Sequence, residues 1–148
     1  FNEIKGVNSR LDELQAALLS VKLNVLDAQN SQRIALADIY NQHLQNVGDL
    51  TLPTLADSCT SVYHIYQVRT SRRNELQNYL TENGIGTIIH YPVPPHLQEA
   101  YAELAYKKGD FPIAEKIAEQ TLSLPLYPGM QNEDVFTVIE TIKKFFNG

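Results

Sequence analysis

With 148 residues, 43% hydrophobic and 20% charged, the chain can bury one core and has the profile of a soluble globular domain rather than a disordered segment. Twelve Lys and Arg against 17 Asp and Glu leave a net charge of −5, which argues against a nucleic-acid-binding domain. No apolar run is long enough to span a membrane, and the single Cys59 excludes an internal disulfide and a CxxC zinc site.

The first element is a long helix. From Val7 to Val47 the chain has no Gly and no Pro, and Leu11, Leu14, Leu18, Val21 and Val25 recur at steps of three and four. Ser9 reads as the N-cap, with Asp12 in the position of a capping-box acid, and Gly48 as the stop. Such a helix, about 55–60 Å long at 1.5 Å per residue, exceeds the reach of a compact domain of this size. It either bends, with Asn24, Asp27, Asn30 and Ser31 as the weak point, or projects to meet a missing domain or a second subunit.

Val62–Arg69 (VYHIYQVR) reads as a strand. Ser71 opens a helix that buries Leu76, Tyr79 and Leu80 and ends at Gly84. Ile85–Tyr91 reads as a second strand, broken by Pro92, Pro94 and Pro95. Asp110 and Pro112 open a helix carrying Ile113, Ile117 and Ala118. Leu122–Leu126 is a third, short strand leading into the turn Tyr127-Pro128-Gly129. The last helix begins at Asn132 with Glu133 and Asp134 at its positive end, and its apolar stripe is Val135, Val138, Ile139, Ile142 and Phe146. The expected fold is a small α/β sandwich, a three-stranded sheet covered by helices.

Among chemistry-bearing residues, His43 reads as a surface or packing residue and His64 as a core histidine. His90 and His96 flank the stiff stretch Tyr91-Pro92-Val93-Pro94-Pro95, where prolines hold side chains without an ordering cost on binding. No third ligand stands at a metal-binding spacing, so no metal site is expected. Arg69, Arg72 and Arg73 form the one basic concentration, either a solvated face or a phosphate contact. Cys59 fits a reducing, cytoplasmic compartment, and Phe1 without a leader-like region reads as the start of a fragment or processed product.

Three segments in order carry a resemblance. Gly6–Ala17 (GVNSRLDELQAA) fits a G-x-N-x-R-x-x-E-x-Q-A-A pattern, followed by Ile88–Tyr101 (IIHYPVPPHLQEAY) and Leu124–Met130 (LPLYPGM). Together they resemble the signatures of the DegT/DnrJ/EryC1/StrS sugar aminotransferases over nearly the whole chain. The resemblance implies a homodimeric enzyme of the aspartate-aminotransferase fold. Such an enzyme uses pyridoxal phosphate to move an amino group, usually from glutamate, onto a keto group of a nucleotide-linked sugar, in polysaccharide or antibiotic-sugar biosynthesis. It also implies that residues 1–48 form a long interdomain, dimer-facing helix and residues 49–148 the small C-terminal domain.

The lysine that holds the cofactor lies in the family upstream of the G-x-N-x-R motif. No lysine here matches it, so no catalytic residue is assigned and the chain alone should be inactive. Asn8 matches the asparagine that reaches the cofactor phosphate of the opposite subunit, a role that competes with helix capping. Arg10 either contacts a substrate phosphate or pairs with an acid on the helix, and His90 and Tyr91, with His96, match a segment lining the sugar-nucleotide site, which could also be a structural turn packed by proline and aromatics. Nucleic acid and membrane are not expected partners. The alternatives are a non-catalytic α/β module that dimerises or binds a ligand through the His90–His96 loop, and a pyridoxal-phosphate-dependent sugar dehydratase of the same fold.

Overall fold

The computed structural model describes residues 2–148. Helix α1 spans Glu13–His43, 31 residues or about 46 Å. Its N-cap is Asp12, whose carboxylate accepts the Gln15 N–H at 2.7 Å. The expected cap at Ser9 is therefore displaced by three residues: a carboxylate suits the positive end of the helix better than a hydroxyl. Asn24, Asp27, Asn30 and Ser31 do not interrupt the helix. Ser31 instead turns its hydroxyl inward, donating to the Asp27 carbonyl at 2.9 Å.

Only the last third of α1 enters the core, through Leu36, Ala37 and Tyr40. Leu14, Leu18 and Val21 are 79%, 70% and 69% exposed. The helix projects rather than folding back as a kinked core helix. Among the described residues no helix is long and apolar enough to cross a membrane.

The sheet has two strands, not the expected three. β1 (Tyr66–Arg69) and β2 (Thr121–Leu124) pair antiparallel, with Tyr66 opposite Leu124, Gln67 opposite Ser123 and Val68 opposite Leu122. On the outer edge of β2 the segment 85–91 contributes only a single bridge, Ile88 to Ser123, and on the edge of β1 Thr51 bridges Arg69. Gly84 and Gly86 before Ile88, and the prolines after Tyr91, leave too few pairing residues for a ladder. The Val62–Arg69 stretch is shortened at its start, where Tyr63 adopts a positive φ of 44° that extended pairing does not accommodate.

Alternation along β1 turns Tyr66 and Val68 inward, and Leu122 and Leu124 join them from β2. Helices α1, α2 (Arg73–Glu82) and α4 (Asn132–Asn147) cover that face, giving a core of Tyr40, Leu44, Leu76, Leu80, Val135 and Ile139 among others. Tyr40 and Tyr66 stack with centroids 4.9 Å apart. Their hydroxyls are satisfied by the Pro125 carbonyl at 2.9 Å and Asn41 Oδ1 at 2.7 Å, and burial pushes both phenols well above their ordinary values. The apolar stripe of α4 is as the pattern predicts, with a capping box between Gln131 and Asp134.

Helix α2 has no side-chain cap, and Asp49 holds the turn ahead of it. Ser71 does not cap it. Asp49 accepts from Thr70 Oγ1, from the Ser71 N–H at 2.8 Å and from Ser71 Oγ at 2.5 Å. Burial alone would raise the Asp49 carboxyl, but these bonds hold it below its ordinary value. Next to it, Gly48 has φ +55°, and a Cβ there would lie 2.1 Å from Phe146 Cδ1.

Helix α3 (Pro112–Gln120) has Pro at its first turn as expected, but buries Glu115 and Ala118 while leaving Ile113 77% exposed. Of the three apolar positions Ile113, Ile117 and Ala118, only Ala118 is buried.

Candidate functional site

The outer face of the sheet, opposite the helices, carries Gln67 and Ser123, and on them sits His90. Its Nδ1 lies 2.9 Å from Ser123 Oγ, and its carbonyl accepts from Gln67 Nε2 at 2.8 Å. The segment before it is tied by Ser123 N–H to the Ile88 carbonyl at 2.8 Å and by Ile88 N–H to the Ser123 carbonyl at 3.3 Å. A cavity of about 180 Å³ opens here, lined by His64, Thr87, His90, Ser123 and Leu126 among others. Thr87 Oγ1 is buried in it without a partner among the described residues. His64 is exposed at its rim, not the core histidine expected, because the strand begins only at Tyr66. Tyr91 follows with its ring 72% exposed, set edge-on to His90 with centroids 5.6 Å apart.

His96 points elsewhere. Its Nε2 lies 3.0 Å from Glu115 Oε1, both side chains being 9% exposed, and its ring packs on Phe111 with centroids 4.8 Å apart. Glu115 also accepts from the Gly109 N–H at 2.9 Å and the Phe111 N–H at 3.3 Å. Burial would raise this carboxyl, but the Gly109, His96 and Phe111 bonds outweigh it and lower it. The pair thus fastens the proline-rich loop to α3. A second, aromatic cavity of about 310 Å³ lies beside it, lined by His96, Tyr101, Tyr106 and Phe111.

Asn8 and Arg10 lie in the extended segment ahead of α1, both exposed. Since the helix starts at Glu13, Asn8 sits four residues before the Asp12 cap rather than at a helix N-terminus. Among the described residues neither side chain makes a hydrogen bond, so an amide and a guanidinium are both available to an anion.

The arginine cluster, by contrast, disperses. Arg72 lies over the Phe145 ring at 4.2 Å and pairs with Glu75 at 2.9 Å. Arg73 Nη1 donates to the Ala118 and Thr121 carbonyls, each at 3.3 Å, closing the end of α3, and Arg69 is held in β1. No group of three or more potential metal ligands occurs among the described residues.

Three residues that hold the site escaped the sequence reading: Gln67, Ser123 and Glu115. A signal existed for two of them. Gln67 is a lone uncharged polar residue between Tyr66 and Val68, and Ser123 interrupts the apolar run Leu122–Leu126.

The comparisons with known proteins bear on this geometry. The model of the DegT/DnrJ/EryC1/StrS aminotransferase family matches residues 1–143. The chain is 46% identical over 144 residues to the dTDP-3-amino-3,6-dideoxy-alpha-D-galactopyranose transaminase of Aneurinibacillus thermoaerophilus, covering 97% of this chain and 39% of that protein. It superposes on the crystal structure of Streptomyces venezuelae DesV in complex with a ketimine intermediate with a TM-score of 0.90 at 43% identity, covering 99% of this chain and 39% of that one. NtdA from Bacillus subtilis with bound cofactor PMP matches with a TM-score of 0.79 at 30% identity, over 97% of this chain and 34% of that one. The chain therefore spans about two fifths of the length of the curated relative it matches.

Proposed function

We propose, from the premise that the chain belongs to the DegT/DnrJ/EryC1/StrS aminotransferase family, that it is the small-domain portion of an enzyme aminating a nucleotide-linked keto sugar. The observation that carries this reading is the polar groove on the outer sheet face. There His90 is tethered at two atoms while Tyr91 stands exposed beside it, within a segment that fits the family signature.

Residues 1–48 form the arm toward the cofactor domain and a second subunit, and residues 49–148 the small domain. The exposed apolar residues of α1 suit an arm that packs on something. The amino donor is glutamate, by analogy with the family.

Pyridoxal phosphate, when bound, supplies the electron sink for transamination. The residues present fit one part of that group. Asn8 and Arg10 offer an uncharged donor and a cation that make no hydrogen bond among the described residues, a donor set suited to phosphate oxygens. Nothing in the His90 groove fits the lysine attachment, since its lining includes no lysine. In this reading Asn8 holds the cofactor phosphate across the subunit boundary and Arg10 a substrate phosphate. His90 and Tyr91 line the sugar, and His96 fixes the loop that carries them. The chain binds and orients, and the bond-making amine comes from elsewhere in the intact enzyme.

Substitution separates these roles. In the intact enzyme Asn8→Ala weakens retention of pyridoxal phosphate about 10-fold or more, the worth of a hydrogen bond to a charged group. Arg10→Ala raises KM for the sugar nucleotide and leaves cofactor retention unchanged. Cofactor dialysis of both variants decides the matter: an Asn8 variant that holds the cofactor as tightly as wild type contradicts the assignment.

A further inference from the structure

We infer that the cross-strand pair Gln67–Ser123 is a positioning device that sets the His90 ring with its Nε2–H as a hydrogen-bond donor facing the groove, ready for an acceptor oxygen of a sugar nucleotide. The substrate part of this inference rests on the functional reading above; the clamp itself rests on geometry.

Gln67 and Ser123 are directly opposed in the β1–β2 register, so their side chains leave the same face of the sheet as neighbours. Between them they hold the segment 88–90 at four atoms. Ser123 takes both backbone groups of Ile88 and the His90 Nδ1, and Gln67 takes the His90 carbonyl. Because this segment pairs with β2 through a single bridge, no ladder fixes His90. Two side chains do it instead.

The hydroxyl decides the tautomer. Ser123 is 5% exposed, and among the described residues its Oγ has one hydrogen-bond partner, His90 Nδ1. If Nδ1 carried the proton and donated, the hydroxyl hydrogen would have no acceptor among the described residues, an arrangement that costs up to about 1–3 kcal/mol where water does not reach it. Donation from Ser123 Oγ–H to Nδ1 satisfies the hydroxyl and leaves only the ring Nε2–H free. The neutral ring then carries its proton on Nε2, and that nitrogen is the one left for a ligand. A donor at this point recognises a hydroxyl, carbonyl or phosphate oxygen and rejects a cation.

The test uses intact protein labelled with 13C/15N-histidine, the His90 signals being assigned by their loss in His90→Gln. Long-range 1H–15N correlation at a pH where the ring is neutral should show His90 as a single Nε2–H tautomer. Ser123→Ala should give a tautomer mixture, and Ser123→Thr, which keeps the hydroxyl on a residue suited to a strand, should restore the single form. Calorimetric titration with dTDP-glucose should show binding weakened about 2- to 10-fold in Ser123→Ala, the range of one net hydrogen bond, and restored in Ser123→Thr. An Nδ1–H tautomer in the wild type, or an unaltered tautomer in Ser123→Ala, overturns the clamp. The expected tautomers together with dTDP-glucose binding that His90→Gln leaves unchanged overturn the substrate reading of His90 and leave the clamp standing.

Discussion

Glu115 would be an ordinary surface acid one turn into α3 were it not for its neighbours. His96, the Gly109 N–H and the Phe111 N–H all address its carboxylate, and together they lower its pKa from the ordinary 4.5. A carboxyl lowered in the folded state stabilises the fold fully above its unfolded value, and that contribution fades as pH falls through the folded one. Glu115→Gln should therefore melt below wild type at about pH 7, with the gap narrowing as pH falls below the ordinary carboxylate range and the wild type loses its advantage. Circular-dichroism melts across that range check this, and a gap independent of pH would contradict it. His90 and His96 were visible in the sequence because prolines frame them. Glu115 was not, and Ser123 only as a break in an apolar run, because their partners lie 19 and 33 residues away and no local pattern encodes such a pairing.

At the scale of elements, the start of α2 and the end of the α1 connection meet at Gly48 and Asp49. Asp49 ties the turn before α2 by accepting from Thr70 and Ser71, 21 and 22 residues on, so Asp49→Ala should cost about 1–2 kcal/mol, as loss of the acceptor of such bonds does. Gly48→Ala should cost more, about 2–4 kcal/mol, because it adds a left-handed backbone penalty to a collision with the Phe146 ring. Urea midpoints of the two variants and of Ser71→Ala rank the three. A Ser71→Ala loss exceeding that of Asp49→Ala would contradict the role given to the Asp49 carboxylate, since Ser71→Ala removes only one of its bonds.

The helices α2 and α4 were legible because a 3.6-residue stripe is a property of the segment itself, and Leu76, Leu80, Val135, Val138, Ile139 and Ile142 are all buried. The strand expected at 85–91 does not form, since a strand exists only through its neighbour, and Gly86 and Pro92 leave Ile88 alone to pair. Helix α3 buries Glu115 beside Ala118 because three groups address the carboxylate, while Ile113 stays out.

On the scale of the whole molecule, the unusual feature is the run of exposed apolar residues on α1: Leu14, Leu18, Leu19, Val21 and Leu23, each at least half exposed. Contiguous apolar surface of this kind marks an interaction face. The 148-residue chain alone should self-associate and bind a hydrophobic dye. Leu18→Lys in the intact protein should shift its mass by light scattering toward a smaller species. A dye-negative, monodisperse monomer from the isolated chain would contradict the role given to α1. The length of the helix against the size of the domain limits the sequence reading to a bend or a projection, and the unbroken passage through Asn24–Ser31 decides for projection. Poor helix formers there are tolerated where side chains such as Ser31 bond back to the helix.

The central claim, that the intact protein is a pyridoxal-phosphate-dependent aminotransferase, is tested most directly by its absorbance spectrum with the cofactor bound, before and after addition of glutamate. Transamination predicts that the band of the lysine-held cofactor falls and that of the aminated cofactor rises in its place. A protein that binds no cofactor, or whose band is indifferent to glutamate and every other amino donor, would contradict it and favour a dehydratase or a non-catalytic module on the same fold.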